Sequence, residues 1–150
     1  MSKHPLWRFQ GFIRLKAHEG SVPHGIDSTR EEWVEVGNKL SAILETLLKA
    51  HVFSYEMGET GSHHFQIYFK CKKKIRKAVL ATTIEALCPE VMVSLLKVDG
   101  SDNINIKYVT KGTCTWTYMD GTKKDNITFQ DDDGNDAWLL WEKLTDVMLF

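Results

Sequence analysis

Cysteine is scarce in this chain. Its 150 residues hold three, Cys71, Cys88 and Cys114, odd in number and widely spaced. That excludes a disulfide scaffold and a zinc knuckle and points to a reducing compartment. Long apolar runs are missing too, since none approaches the ~18 residues a membrane helix needs. The opening Met1-Ser2-Lys3-His4-Pro5 has no apolar stretch of the kind that directs secretion. Nowhere is there a Gly-x-x-x-x-Gly-Lys-Ser/Thr phosphate loop, which sets aside a P-loop nucleotidase within these residues. Internal repeats are lacking, and the one low-complexity tract is Asp131-Asp132-Asp133.

What is present is ordinary globular composition, 43% hydrophobic and 26% charged, in a length that suits one domain with a real core. The net charge of −1 hides an asymmetry. Residues 1–112 carry 16 Lys and Arg against 12 Asp and Glu, whereas residues 113–150 carry 3 against 8. The two parts are not expected to share a partner. The densest basic run is Lys70-Cys71-Lys72-Lys73-Lys74-Ile75-Arg76-Lys77, which by itself is also what a solvated surface looks like.

Period-two alternation predicts a strand over Arg8–Leu15. Ser28-Thr29-Arg30-Glu31 fits a capping box. Behind it Trp33, Val36, Leu40, Ile43, Leu44 and Leu47 recur at helical spacing to about Ala50. Strands follow over His51–Met57 and His63–Lys70, joined by the short loop Gly58–Ser62. A second helix is expected over Lys72–Leu87, with Ile75, Val79, Leu80, Ile84 and Leu87 on one side, and a fourth strand over Val91–Val98. This β-α-β-β-α-β order is the split-βαβ, ferredoxin-like arrangement of an α+β domain with an antiparallel sheet of about five strands. A short helix over Asn103–Lys111 ends at Gly112, and Thr113–Tyr118 supplies the fifth strand. Asn126–Phe129 is expected to pair back, and Ala137–Met148 to form an added C-terminal helix. Residues 1–118 then make the core, and 119–150 an acidic turn and helix packed on the same domain.

Pairing Met57 with His63 sets Glu56 opposite His64 and Ser54 opposite Gln66. Alternation sends Phe65, Ile67 and Phe69 under the helices and His64, Gln66 and Tyr68 to the other face. Cross-strand neighbours stand ~4.5–5.5 Å apart at Cβ, so Glu56, His64 and Gln66 can converge on one ion. One imidazole and two oxygen donors favour a hard divalent cation, Mg²⁺ or Mn²⁺, over zinc. The plainer alternative is three polar residues on a wet sheet face. His63, on the opposite face, reads as a core-edge residue rather than a ligand.

On the short helix, Tyr108, Lys111 and Ile104 share one side at ~100° per residue, and Ile106 and Val109 the other. A tyrosine and a lysine three apart make a possible nucleophile and cationic partner. A free phenol has a pKa near ~10, and Lys111 could stabilise the phenolate. An amphipathic tyrosine at a helix edge is the alternative.

Together these residues resemble the HUH endonucleases, in particular the replication-initiator (Rep) nickases of small circular single-stranded DNA viruses of circovirus-like and geminivirus-like type. Tyr55–Phe69 resembles the family's second motif. It has His64-Phe65-Gln66 for His-apolar-His/Gln, and Glu56 eight residues ahead as the metal-binding acid. Tyr108-Val109-Thr110-Lys111-Gly112 resembles the third motif, Tyr-x-x-Lys. The resemblance covers roughly residues 7–118. It departs at the first motif, an aromatic-Thr-Leu-Asn strand in the family, where this chain has Arg8-Phe9-Gln10-Gly11-Phe12-Ile13-Arg14-Leu15.

The resemblance implies sequence-specific nicking and joining of single-stranded DNA at an origin stem-loop, in rolling-circle replication. The metal, Mn²⁺ or Mg²⁺, sits on Glu56, His64 and Gln66. Tyr108 forms a 5′-phosphotyrosine and Lys111 assists. Arg8, Arg14, Lys70, Lys72, Lys73, Lys74 and Arg76 become candidate backbone contacts, and Phe12 and Tyr68 candidate platforms for unpaired bases. A helicase domain or other replication proteins are expected partners, with no membrane. The expected location is the host nucleus for a virus of eukaryotes, otherwise the cytoplasm, and not outside the cell. Alternatives are a non-catalytic single-strand-binding module on the same scaffold, a small HUH transposase, and an unrelated metal hydrolase that uses water.

Overall fold

A computed structural model describes residues 7–16, 30–57, 63–98, 102–110, 113–119 and 121–123. Strand β1 (Arg8–Leu15) is followed by helix α1 (Arg30–Leu47), strands β2 (Leu48–Met57) and β3 (His63–Cys71), helix α2 (Lys77–Leu87) and strand β4 (Val91–Lys97). Helix α3 (Asp102–Val109), strand β5 (Thr113–Met119) and the two-residue β6 (Thr122–Lys123) complete the described elements. The sheet is antiparallel throughout, ordered β4-β1-β3-β2-β5-β6. The α+β class and the β-α-β-β-α-β order agree with expectation. β3 lies between β1 and β2, and β6 adds a sixth strand. Among the described residues no helix is long and apolar enough to cross a membrane.

Odd-numbered residues of β1 and β3 form the helix-covered face. Phe9, Ile13, Phe65, Ile67 and Phe69 pack with Phe53 of β2 against Trp33, Leu40 and Leu44 of α1 and Leu80 and Ile84 of α2. Two glycines permit the close approaches. A Cβ on Gly11 would collide with the Ser94 carbonyl on β4, and one on Gly37 would enter the Trp116 ring. Trp116 also donates from Nε1 to Asn38 Oδ1 at 2.9 Å, which fixes β5 to α1.

Several expectations need correction. β2 begins at Leu48, where α1 was expected to continue to Ala50, because Leu48 is buried opposite Cys71 and that pairing outweighs helix propensity. α2 begins at Lys77, not Lys72. Successive lysines in a first helical turn oppose the positive end of the helix dipole. Val79 and Leu87 are about half exposed rather than on the buried side. Among the described residues, Thr122–Lys123 pairs back on β5. Asn126–Phe129, Ala137–Met148, Ser28, and the Lys111–Gly112 end of the third helix all lie outside the described residues.

At the sheet edge, Glu85 Oε2 of α2 accepts from the Val93 amide of β4 at 2.8 Å. A side-chain carboxylate thus occupies an edge donor that would otherwise invite another strand.

Candidate metal and tyrosine site

The expected β2–β3 register holds residue for residue: Met57 pairs with His63, Glu56 with His64 and Ser54 with Gln66. On the other side of β3, Phe12 of β1 pairs with Gln66. Glu56, His64 and Gln66 therefore point to one face, the face away from α1 and α2. His64 Nε2 stands 3.8 Å from Glu56 Oε2. That is too long for a hydrogen bond, and it is a span that two donors bound at ~2.1 Å to a common cation can subtend. His64 and Gln66 are buried, while the Glu56 side chain keeps about a third of its surface in solvent. Gln66 donates from Nε2 to the Gly11 carbonyl at 3.2 Å. Its amide nitrogen is thereby committed to the backbone, and Oε1 is the atom left to act as a hard-cation donor. Among the described residues no group of three His, Cys, Asp or Glu side chains could hold a metal. The set here is a carboxylate, an imidazole and a carboxamide, and by donor chemistry it fits Mg²⁺ or Mn²⁺.

Phe12 and Arg14 of β1 extend this cluster. The Phe12 ring meets His64 edge-on at 5.3 Å between centroids. The Arg14 guanidinium lies 5.1 Å from the Phe12 ring centroid. Arg14 Nε is buried without a hydrogen-bond partner among the described residues. Arg14 is thus a cation within cation–π reach of the ring that packs against the imidazole.

Helix α3 lies on this same face. Gln10 Nε2 donates to Asn105 Oδ1 at 2.8 Å, and Ser54 Oγ donates to the Val109 carbonyl at 2.5 Å. Asn105, Ile106 and Val109 are buried, whereas Ile104 and Tyr108 are exposed, Tyr108 by 45%. The side division read from the sequence is the one observed. Since Ser54 is the cross-strand partner of Gln66, the Ser54–Val109 bond anchors the end of α3 that carries Tyr108 beside the Gln66 register position. Lys111 lies outside the described residues.

Two expected nucleic-acid contacts change meaning. Tyr68 is fully buried and its hydroxyl accepts from Arg8 Nη1 at 3.1 Å. It cannot serve as a base platform, because α3 packs on β2 and β3 over this part of the face. Phe12 is half-buried, with the His64 ring and the Arg14 guanidinium against it. Lys70, Lys72, Lys73, Lys74 and Arg76 sit at the far end of β3 or beyond it. Six residues of strand separate His64 from Lys70, or ~20 Å, so they do not join the cluster.

His63 takes the core-edge position expected of it. Its ring stacks on Trp33 and Tyr55, and Nδ1 hydrogen-bonds the Tyr55 hydroxyl. Another histidine went unnoticed in the sequence. His51 of β2 is fully buried, with Nε2 3.0 Å from Ser41 Oγ of α1 and its ring stacked on Tyr118 of β5. Burial and, to a lesser degree, Lys123 push its pKa down to about 3. Its place in an alternating strand gave no sign of this, because the polar partner comes from a helix.

No family model matches the chain, and no curated protein matches it.

Proposed function

We propose that this protein is a metal-dependent endonuclease of single-stranded DNA that cuts and rejoins strands through a phosphotyrosine, in the manner of the HUH replication initiators it resembles. The observation that carries the reading is the β2–β3 register, which brings Glu56 to 3.8 Å from His64 with Gln66 on the same face, beneath a helix that carries an exposed tyrosine.

Glu56, His64 and Gln66 are the residues that hold Mn²⁺ or Mg²⁺, and such an ion, when bound, supplies Lewis-acid polarisation of a phosphate. Arg14 holds a non-bridging oxygen of the DNA backbone by charge, its guanidinium oriented by the Phe12 ring. Tyr108 Oη, giving up its proton, forms the new bond to phosphorus. The P–O3′ bond breaks, and the released oxygen takes up a proton to become a 3′-hydroxyl. Lys111, by the resemblance, favours the phenolate and the charge that gathers on the phosphate. The ester retains the bond energy, so a second 3′-hydroxyl can reverse the step and join strands without ATP.

Burial of Tyr68 counts against a non-catalytic single-strand binder that stacks bases on the central strand. The test is incubation with Mn²⁺ and a pool of single-stranded oligonucleotides, followed by a denaturing gel. A covalent adduct that disappears in Tyr108→Phe is expected. No adduct on any sequence, or one that survives that substitution, refutes the reading.

A further inference from the structure

The last turn of a helix leaves backbone carbonyls without partners inside the helix. At the end of α3 the Ile106 carbonyl accepts from the Thr110 amide at 3.1 Å and from Thr110 Oγ1 at 2.7 Å. The Val109 carbonyl is satisfied from the sheet instead, by Ser54 Oγ of β2, a fully buried residue. Nearer the start of the helix, Asn105 Oδ1 accepts from Gln10 Nε2 of β1. Asn105 and Val109 are four residues apart and so share one side of α3, while β1 and β2 flank β3 on its two edges. Two hydrogen bonds therefore pin α3 across β3, one from each neighbouring strand. The sheet is irregular at one of these points. The β2–β5 ladder shifts register there, with Ser54 opposite Thr115 and Tyr55 opposite Thr113. A bulge of this kind bends the strand that carries the extra residue, here β5, where the chain returns from α3 to the sheet.

We propose that Ser54 and Gln10 are positioning residues for Tyr108, given the nucleophilic role proposed for it above: their bonds to Val109 and Asn105 fix the roll of α3 on the sheet and so the place of the phenol. At ~100° per residue, Tyr108 sits ~60° round the helix from Asn105 and ~100° from Val109. It is on the flank of α3 rather than its crest, in keeping with an exposure of 45% against 64% for Ile104. When a helix rolls, a flank residue moves towards the sheet or away from it. With side chains reaching ~5–6 Å from the helix axis, a roll of about 10° displaces their tips by ~1 Å. A misplacement of that size costs about a hundredfold in rate when two groups must meet in line. Burial of Ile106 and Val109 holds the helix down on the sheet, but apolar burial has no preferred direction. Hydrogen bonds do, weakening steeply as they bend, and two of them from different strands define one roll. Ser54 and Gln10 thus act through α3 rather than on the phosphate.

The test replaces Tyr108 with 3-fluorotyrosine in the full chain and follows its fluorine resonance as Mn²⁺ is added. Broadening by a bound paramagnetic ion falls steeply with distance, so the signal reports how near the phenol stands to the ion whether or not catalysis occurs. The resonance should broaden in the otherwise wild-type chain, and Ser54→Ala should at least halve that broadening while Mn²⁺ affinity stays unchanged. With tyrosine at 108, Ser54→Ala should slow adduct formation about ten- to a hundredfold at saturating oligonucleotide and Mn²⁺, and leave the half-saturating concentrations as they are. Gln10→Met, which keeps the side-chain volume and removes the donor, should act in the same direction, and it decides the matter if Ser54→Ala does not fold. Broadening and adduct rates equal to wild type in the folded variants overturn the proposal. Broadening that depends on Ser54, together with no adduct in the wild type, would keep the positioning and remove the nickase. A wild-type resonance that bound Mn²⁺ leaves sharp overturns both.

Discussion

Acidification should destabilise this protein through one residue, His51. Its imidazole is buried against Ser41, Phe53 and Tyr118, and burial holds its pKa at about 3 against an ordinary 6.5. Above the ordinary value the ring is neutral in both folded and unfolded chains and contributes no pH dependence. As pH falls through 6.5 the unfolded chain takes up a proton that the folded chain refuses, so stability declines until the pH nears 3. Each unit is worth ~1.4 kcal/mol, which gives about 2 kcal/mol lost by about pH 5 and a limit near 5 kcal/mol. Urea unfolding at about pH 7.5 and about pH 5 measures this. His51→Gln, which retains a donor for Ser41 and does not titrate, supplies the reference. The wild type should lose about 2 kcal/mol more than the variant on this change. Equal losses would show that His51 accepts a proton in the folded state and would refute the burial argument.

Two other substitutions probe the architecture around the site. Gly11→Ala should destabilise by about 2–3 kcal/mol in a urea melt, because its new methyl meets the Ser94 backbone rather than a side chain that can move. Arg14→Ala should slow adduct formation about ten- to a hundredfold, the worth of one charge-assisted contact. Arg14→Lys should recover only part of that rate, since an ammonium cannot reproduce the forked donors of a guanidinium held beside Phe12.

Much of the site's framework was legible in the chain. The alternation of Phe65, Ile67 and Phe69 against His64 and Gln66 fixed the faces, and the short loop after Met57 fixed the register that the structure displays. The side of α3 that bears Tyr108 followed equally from helical spacing. Tyr68 shows where such reasoning stops. Alternation placed it correctly on the face of His64, yet nothing local says that α3 returns to cover that face. The lysine run misled in another way. Composition marked it as basic, but only strand lengths and pairing reveal that it lies at the opposite end of β3 from His64. Boundaries shifted wherever tertiary contacts compete with propensity, as at Leu48, drawn into the sheet by its pairing with Cys71.

The proposed chemistry stands or falls on whether Glu56, His64 and Gln66 hold one divalent ion. Mn²⁺ titration followed by electron paramagnetic resonance decides this, with wild type, His64→Ala and Gln66→Ala compared at equal protein concentration. One bound ion per wild-type chain is expected, with affinity reduced at least tenfold in each variant. Variants that bind Mn²⁺ as tightly as the wild type would remove these side chains as ligands and the nickase with them.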